Sequence, residues 1–294
     1  MLAELGLTGA GYAARLGDGA GAGFFADELV TPASVMKIQV ALTVEIAIAA
    51  GELDGQARRS VLPESRTPGP VGMSLMRDEV SMSVRDLVVA MLTISDNVAT
   101  DELLALIGVD QINATTRSLG MERTLITSNL QGMLDAVALE CGFSTYAALA
   151  AHDPVTHGPP ADAEFRRKIA ASAVLDPMRG TRTTAAETVA LLSAIWSDQA
   201  GQPQACAAVR ELMARQLTHH RIATAFGPDV SVAAKSGGLL GVVRNEAGVV
   251  TFPDGAAYAV AVFTRTQPGT TTDPRLHDAA IGQLARTLIE HLRP

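Results

Sequence analysis

Ser34 and Lys37 stand three residues apart in Thr31-Pro32-Ala33-Ser34-Val35-Met36-Lys37-Ile38. On a helix, that spacing puts both on one face. A serine hydroxyl is a poor nucleophile until a base takes its proton. A lysine can be that base when burial and neighbouring charge lower its pKa. A Ser-x-x-Lys spacing arises by chance about once in a chain of this length, so the pair alone decides nothing. Two further polar groupings follow. Ser95-Asp96-Asn97 falls between helical segments; all three residue types favour helix caps, yet the tripeptide is expected in only about one chain in 20 of this length. Lys235-Ser236-Gly237 ends a strand-like run, where by itself it reads as an edge lysine before a turn.

The elements that must position these groups can be read around them. Gly11 to Leu16 and Ala22 to Ala26 form two short strands turning at Gly17-Asp18-Gly19. The loose pattern Gly9-Ala10-Gly11-Tyr12-Ala13-Ala14 is no dinucleotide site, because only eight residues precede it and no helix follows. Pro32 suits the first turn of a helix. From Ala33 to Ala50 apolar residues occupy nearly every side, as in a buried helix, with Gly51 as its stop. Residues 51 to 83 read as loop. Helical patterns run over Ser83 to Ile94, Val98 to Ile107 and Asp110 to Leu119, then more loosely over Leu130 to Cys141, Thr145 to Ala151 and Ala161 to Val174. The three prolines between His152 and Pro160 separate the last two. Thr184 and Glu187 form a capping box for a helix to Trp196. Asp229 to Lys235, Arg244 to Phe252 and Ala256 to Arg265 read as strands, the last two joined at Pro253-Asp254-Gly255. Pro274 to Leu292 is an amphipathic helix.

These elements predict an α+β fold: one mostly antiparallel five-stranded sheet flanked by helices, with an all-helical domain inserted. The sheet domain takes residues 1–32 and 205–294, and the helical domain takes 33–204. The chain has 294 residues, 48% hydrophobic and 18% charged, with a net charge of −8. That balance points to no nucleic acid and no membrane surface. Basic residues are scattered; Arg166-Arg167-Lys168 reads as a solvated helix face. The two cysteines, Cys141 and Cys206, lie far apart and read as free thiols. His219 and His220 are adjacent, so their rings diverge on a helix, and the sequence predicts no metal and no cofactor. With no signal peptide or apolar span visible, the expected location is cytoplasmic.

In the order Ser-x-x-Lys, Ser-Asp-Asn and Lys-Ser-Gly, the chain resembles the serine β-lactamases and penicillin-binding proteins, and within them the class A β-lactamases. The resemblance covers about Ala10 to His291. Ser95 follows Ser34 by 61 positions, close to the family's interval, and Arg244 follows Lys235 by nine. None of Tyr12, Tyr146 or Tyr258 begins the Tyr-x-Asn of the class C branch. The resemblance implies that Ser34 becomes acylated, with Lys37 as base or proton relay. It implies that Ser95, assisted by Lys235, passes a proton to the leaving nitrogen. Asn97 would hold a substrate amide and Lys37, while Ser236 and Arg244 bind a substrate carboxylate. The N–H groups of Ser34 and Gly238 would form the oxyanion hole. Asp96 is expected to be structural.

One element of the family pattern is missing. No glutamate lies in the Glu-x-x-Leu-Asn sequence that activates the deacylating water; Glu122-Arg123-Thr124-Leu125-Ile126 comes nearest, and Glu140 and Glu164 do not fit. The segment 128–171 is longer than the family's compact loop, with Ser128 or Asn129 near the usual water position. The implied activity is hydrolysis of a small carboxylate-bearing substrate, a β-lactam or related amide, through a slowly released acyl-enzyme. An esterase or amidase on the same scaffold, and a β-lactam-binding module acylated without efficient turnover, are the alternatives. The sequence does not fix the oligomeric state.

Overall fold

Three long runs near the C-terminus and one near the N-terminus, rich in small and β-branched residues, build the sheet. The computed structural model describes residues 1–152, 163–270 and 272–293. It contains an antiparallel five-stranded sheet in the order β2-β1-β7-β6-β5. Strands β1 (Leu7–Arg15) and β2 (Gly21–Phe24) open the chain. Between them and the remaining sheet strands run α1 (Lys37–Ala49), a small ribbon of β3 (Arg58–Val61) and β4 (Val80–Ser83), and α2 (Val84–Thr93). Then come α3 (Asn97–Ile107), α4 (Val109–Ser118), α5 (Leu130–Glu140), α6 (Tyr146–His152) and α7 (Ala163–Ala170). They are followed by α8 (Ala185–Trp196), α9 (Pro203–Ala214), β5 (Ser231–Leu239), β6 (Val243–Thr251), β7 (Ala257–Thr266) and α10 (Pro274–Leu292).

The two faces of the sheet differ in size of side chain. Ala247, Ala259 and Ala261 present small groups to the layer containing α1, α8 and α9, so the helices approach closely. Val250, Val260 and Val262 on the opposite face pack under Ile281, Ala285 and Ile289 of α10. In α1, every residue from Lys37 to Val44 is buried, as a helix apolar all round requires. A third cluster joins Val137, Leu149 and Ile169 to Leu239 and Val243, which ties the 128–171 segment to the end of β5.

Most predicted elements appear within one to four residues of their expected ends. Thr184 caps α8 by accepting from the Glu187 N–H, as the capping box requires. Three readings are corrected. The stretch 51–83 holds the β3–β4 ribbon, whose four-residue strands carry too little alternation to register. α9 went unread in the sequence. Residues 33–36 form a 3₁₀ turn, and the α-helix begins only at Lys37. The proline-rich stretch 152–160 lies almost wholly outside the described residues. Cys206 is a buried free thiol and Cys141 a half-buried one. Among the described residues, no helix is long and apolar enough to cross a membrane.

Candidate active site

The 3₁₀ turn that carries Ser34 is wedged against the edge strand β5. Ala33 has φ of 50°, a left-handed conformation that residues with a Cβ rarely adopt. Close approach is what holds it there. A Cβ on Gly237 would lie 2.7 Å from the Pro32 carbonyl oxygen and 3.1 Å from the Ser34 nitrogen. Only glycine lets the strand lie flat against the turn. From β6, the Asn245 amide donates to the carbonyls of Thr31 (2.9 Å) and Pro32 (3.0 Å), which fixes the approach to Ser34 from behind.

Lys37 is fully buried, and its ammonium is enclosed by the Ser95–Asn97 loop. Nζ donates to the Ser95 carbonyl at 2.7 Å, to Asn97 Oδ1 at 2.9 Å and to Ser95 Oγ at 3.2 Å. No hydrogen bond joins Lys37 to the Ser34 side chain among the described residues; Ser95 Oγ is its hydroxyl partner. Burial drives the Lys37 pKa down from 10.5 to about 7, against the opposing charges of Asp96 and Asp101. Ser95 also has a positive φ, 63°. It is held so by Asp96, which is buried, caps α3 through the Ala99 N–H and accepts from the Met73 N–H. Asp96 is thus structural, as expected. Asn97 donates its own amide to the Pro68 carbonyl at 2.9 Å. Asp101, one turn further along α3, accepts from Thr67 Oγ1 and from the N–H groups of Leu130 and Gln131, and so pins the start of α5 beside the lysine.

Lys235 is the second buried lysine. Its Nζ donates to the Ser236 carbonyl at 2.8 Å and forms no ion pair among the described residues, although the buried Glu246 acts on it by charge. Burial, and then the charge of Lys37, push its pKa well below 10.5. Ser236 gives its N–H to the Gln216 amide oxygen at the outer edge of β5. By strand alternation the Gly238 N–H faces that same edge, towards the Ser34 turn.

The structure places Arg244 differently from a free anion binder. It forms a two-pronged bridge to Asp278 on α10, Nε to Oδ1 at 2.9 Å and Nη2 to Oδ2 at 2.8 Å. Asp278 Oδ1 also accepts from Arg221 Nε at 2.8 Å, and His220 Nε2 lies 3.4 Å from Oδ2. Two guanidiniums therefore share the Asp278 carboxylate, and the buried Glu246 adds a second negative group beside Arg221. Arg221 reaches on to the carbonyls of Gly237 and Asn245, which braces β5 against β6. Sequence reasoning missed Asp278, Arg221, Gln216, Asn245 and Asp101. Their partners are remote in sequence, and none falls in a short motif.

The site thus collects Ser34, Lys37, Ser95, Asn97, Lys235, Ser236 and Gly238 from a turn, an interhelical loop and one strand, with Arg244 at the corner it shares with Asp278. The model of the Beta-lactamase enzyme family matches residues 2–292. The chain belongs to that family. It is also 30% identical over 314 aligned positions to the "Beta-lactamase regulatory protein BlaB" of Streptomyces cacaoi, covering 99% of this chain and 95% of that protein. Among solved structures, a β-lactamase from Sphaerobacter thermophilus superposes with a TM-score of 0.76 at 24% identity, over 99% of this chain and 94% of that one. An acyl-enzyme complex of a point mutant of PBP-A with penicillin G gives a TM-score of 0.75 at 19% identity, over 99% and 92%. A reconstructed class A β-lactamase of the last common ancestor of Gram-negative bacteria gives 0.78 at 20%, over 99% and 95%. These structural likenesses establish the β-lactamase fold. Membership of that family implies a small-molecule substrate.

Proposed function

We propose that the protein is a β-lactam-recognising serine acyl-enzyme whose nucleophile is Ser34 and whose acyl group is released slowly. The observation that carries this reading is the Lys37 environment: a buried lysine with its pKa near 7, hydrogen-bonded to Ser95 Oγ and one turn from Ser34. A neutral Lys37 accepts the proton of Ser34, directly or through Ser95, as Ser34 attacks the lactam carbonyl. The N–H groups of Ser34 and Gly238 stabilise the oxyanion. Collapse of the tetrahedral adduct breaks the C–N bond, and Ser95, with Lys235 beside it, delivers the proton to the leaving nitrogen. Asn97 and Ser236 hold the ligand's amide and carboxylate, and Arg244 supplies the positive field.

Slow release rests on the carboxylates. The two that act on Lys37, Asp96 and Asp101, are each spent on backbone N–H groups. Asn129 is committed to capping α5. Neither those two carboxylates nor that amide is free to activate a water. The regulatory relative adds weight to a stalled adduct over rapid turnover. The test is intact-protein mass after mixing with penicillin G, alongside turnover of a chromogenic cephalosporin. A persistent adduct with a stoichiometric burst is expected. Sustained rapid turnover overturns the slow-release half of the reading, and no adduct and no turnover overturn the whole.

A further inference from the structure

Directly behind the Ser34 turn lies a second cavity, of about 570 Å³. It sits between the start of β1, the end of β7 and the 24–31 loop. Pockets of this size routinely enclose small ligands. The body is apolar, with Leu7, Phe24, Val30, Val243 and Phe263 in its walls. The mouth carries Phe25, which is 64% exposed and has φ of 49°. A large aromatic held in the left-handed region and left in water is unusual on both counts. Its ring meets Phe24 edge-on at 6.3 Å, so an occupant would extend an aromatic wall already begun.

The polar lining is uneven. Arg265 is the one lysine or arginine among the lining residues, and its guanidinium gives Nη1 to the Leu175 carbonyl and Nη2 to the Ala170 carbonyl. These use two of its five N–H groups; Asp176 acts on it by charge, with no ion pair formed among the described residues. Glu28 also lines the cavity, but it is exposed at the rim, where water screens it. Thr31 and Asn245 form the wall nearest Ser34. They are joined there by the bond from the Asn245 amide to the Thr31 carbonyl.

We propose that this cavity is a second ligand site, taking a small amphipathic monocarboxylate with its apolar body against the phenylalanines and its carboxylate on Arg265. The site is separate from the acylation pocket, the Thr31–Pro32 backbone being the partition between them. Nothing in this assignment depends on Ser34 acting as a nucleophile.

Titration calorimetry of the full chain with laurate, at submicellar concentration, tests it, with dodecanol as the uncharged comparison. Saturable one-to-one binding with a Kd below about 100 µM, at least tenfold tighter than dodecanol, is expected. Leu29→Trp, which fills the cavity, should weaken laurate at least tenfold, while Arg244→Ala leaves it unchanged. Phe25→Gly should raise the melting temperature, by relieving the positive φ, yet weaken laurate several-fold; a raised melting temperature with laurate binding unchanged overturns the role of Phe25 as a wall of the site. Equal affinity for laurate and dodecanol overturns the role of Arg265. Absence of saturable binding, or loss of laurate binding in Arg244→Ala, overturns the site.

Discussion

The pocket handles positive charge in two opposite ways at its two ends. At the Ser34 end, Lys37 and Lys235 are fully buried without an ion pair among the described residues; Lys37 donates to carbonyls and to the Ser95 hydroxyl, and Lys235 to the Ser236 carbonyl. At the far end, Arg221 and Arg244 share Asp278 through three nitrogen–oxygen contacts of 2.8 to 2.9 Å. Desolvation without a partner favours the neutral amine. A guanidinium cannot be neutralised, so it needs its carboxylate. On the proposed mechanism, the groups that would exchange a proton are the ones left without an ion pair, and the group that would attract an anion is held by a counter-charge. The difference follows from residue type as much as from position.

Four experiments can break or sharpen that contrast. The largest effect belongs to Ser34→Ala, which should abolish the β-lactam adduct, lowering labelling by about 10³-fold or more. If labelling persists in the mass spectrum, the nucleophile lies elsewhere. Gly237→Ala comes next. Its Cβ meets the Pro32 oxygen at 2.7 Å, so the turn must shift, and acylation should fall about 100-fold with the protein still folded. Asp278→Asn removes the shared carboxylate and leaves the buried Arg221 facing the half-buried Arg244 without it, a loss of about 3 kcal/mol in urea unfolding. The lysine end offers no equivalent change, because neither amine has a paired carboxylate to remove.

The smallest effect is on pH dependence. With the Lys37 pKa near 7, the acylation rate should climb with pH through about 7 as the ammonium loses its proton, then level off. Asp101 holds that pKa up by its charge. Asp101→Asn keeps the shape and removes the charge, so the acid limb should move to lower pH. A limb that stays in place, or moves up, means that Lys37 is not the titrating base.

How much of this was written in the sequence differs between the two ends. The lysine end was nearly all legible, because Ser34, Lys37, Ser95, Asn97 and Lys235 sit in short motifs whose spacing survives folding. The bond from Lys37 to Asn97 was implied there too; what the motifs did not show is that the lysine's hydroxyl partner is Ser95, with no bond to Ser34 among the described residues. At the arginine end only Arg244 was read. Asp278 lies 34 residues further on, on the amphipathic α10, where a buried aspartate looks like any polar residue of a helix. Arg221 reaches Asp278 across 57 residues. Asp101 likewise resembles any helix carboxylate until α5 is seen resting on it. The overall layout was legible because sheet alternation and buried-helix patterns are local. The β3–β4 ribbon escaped because its strands are four residues long.

The seat of the Ser34 turn on Gly237 has a consequence for the molecule as a whole. β5 is the outermost strand on its side of the sheet, and a bare strand of that length invites another chain to pair with it and grow into an aggregate. Here the Pro32–Val35 backbone lies across the strand at Gly237, and the Gln216 side chain takes the Ser236 N–H. The same contacts that seat the Ser34 turn thus cap the edge of the sheet at Ser236 and Gly237, where a foreign strand would otherwise pair.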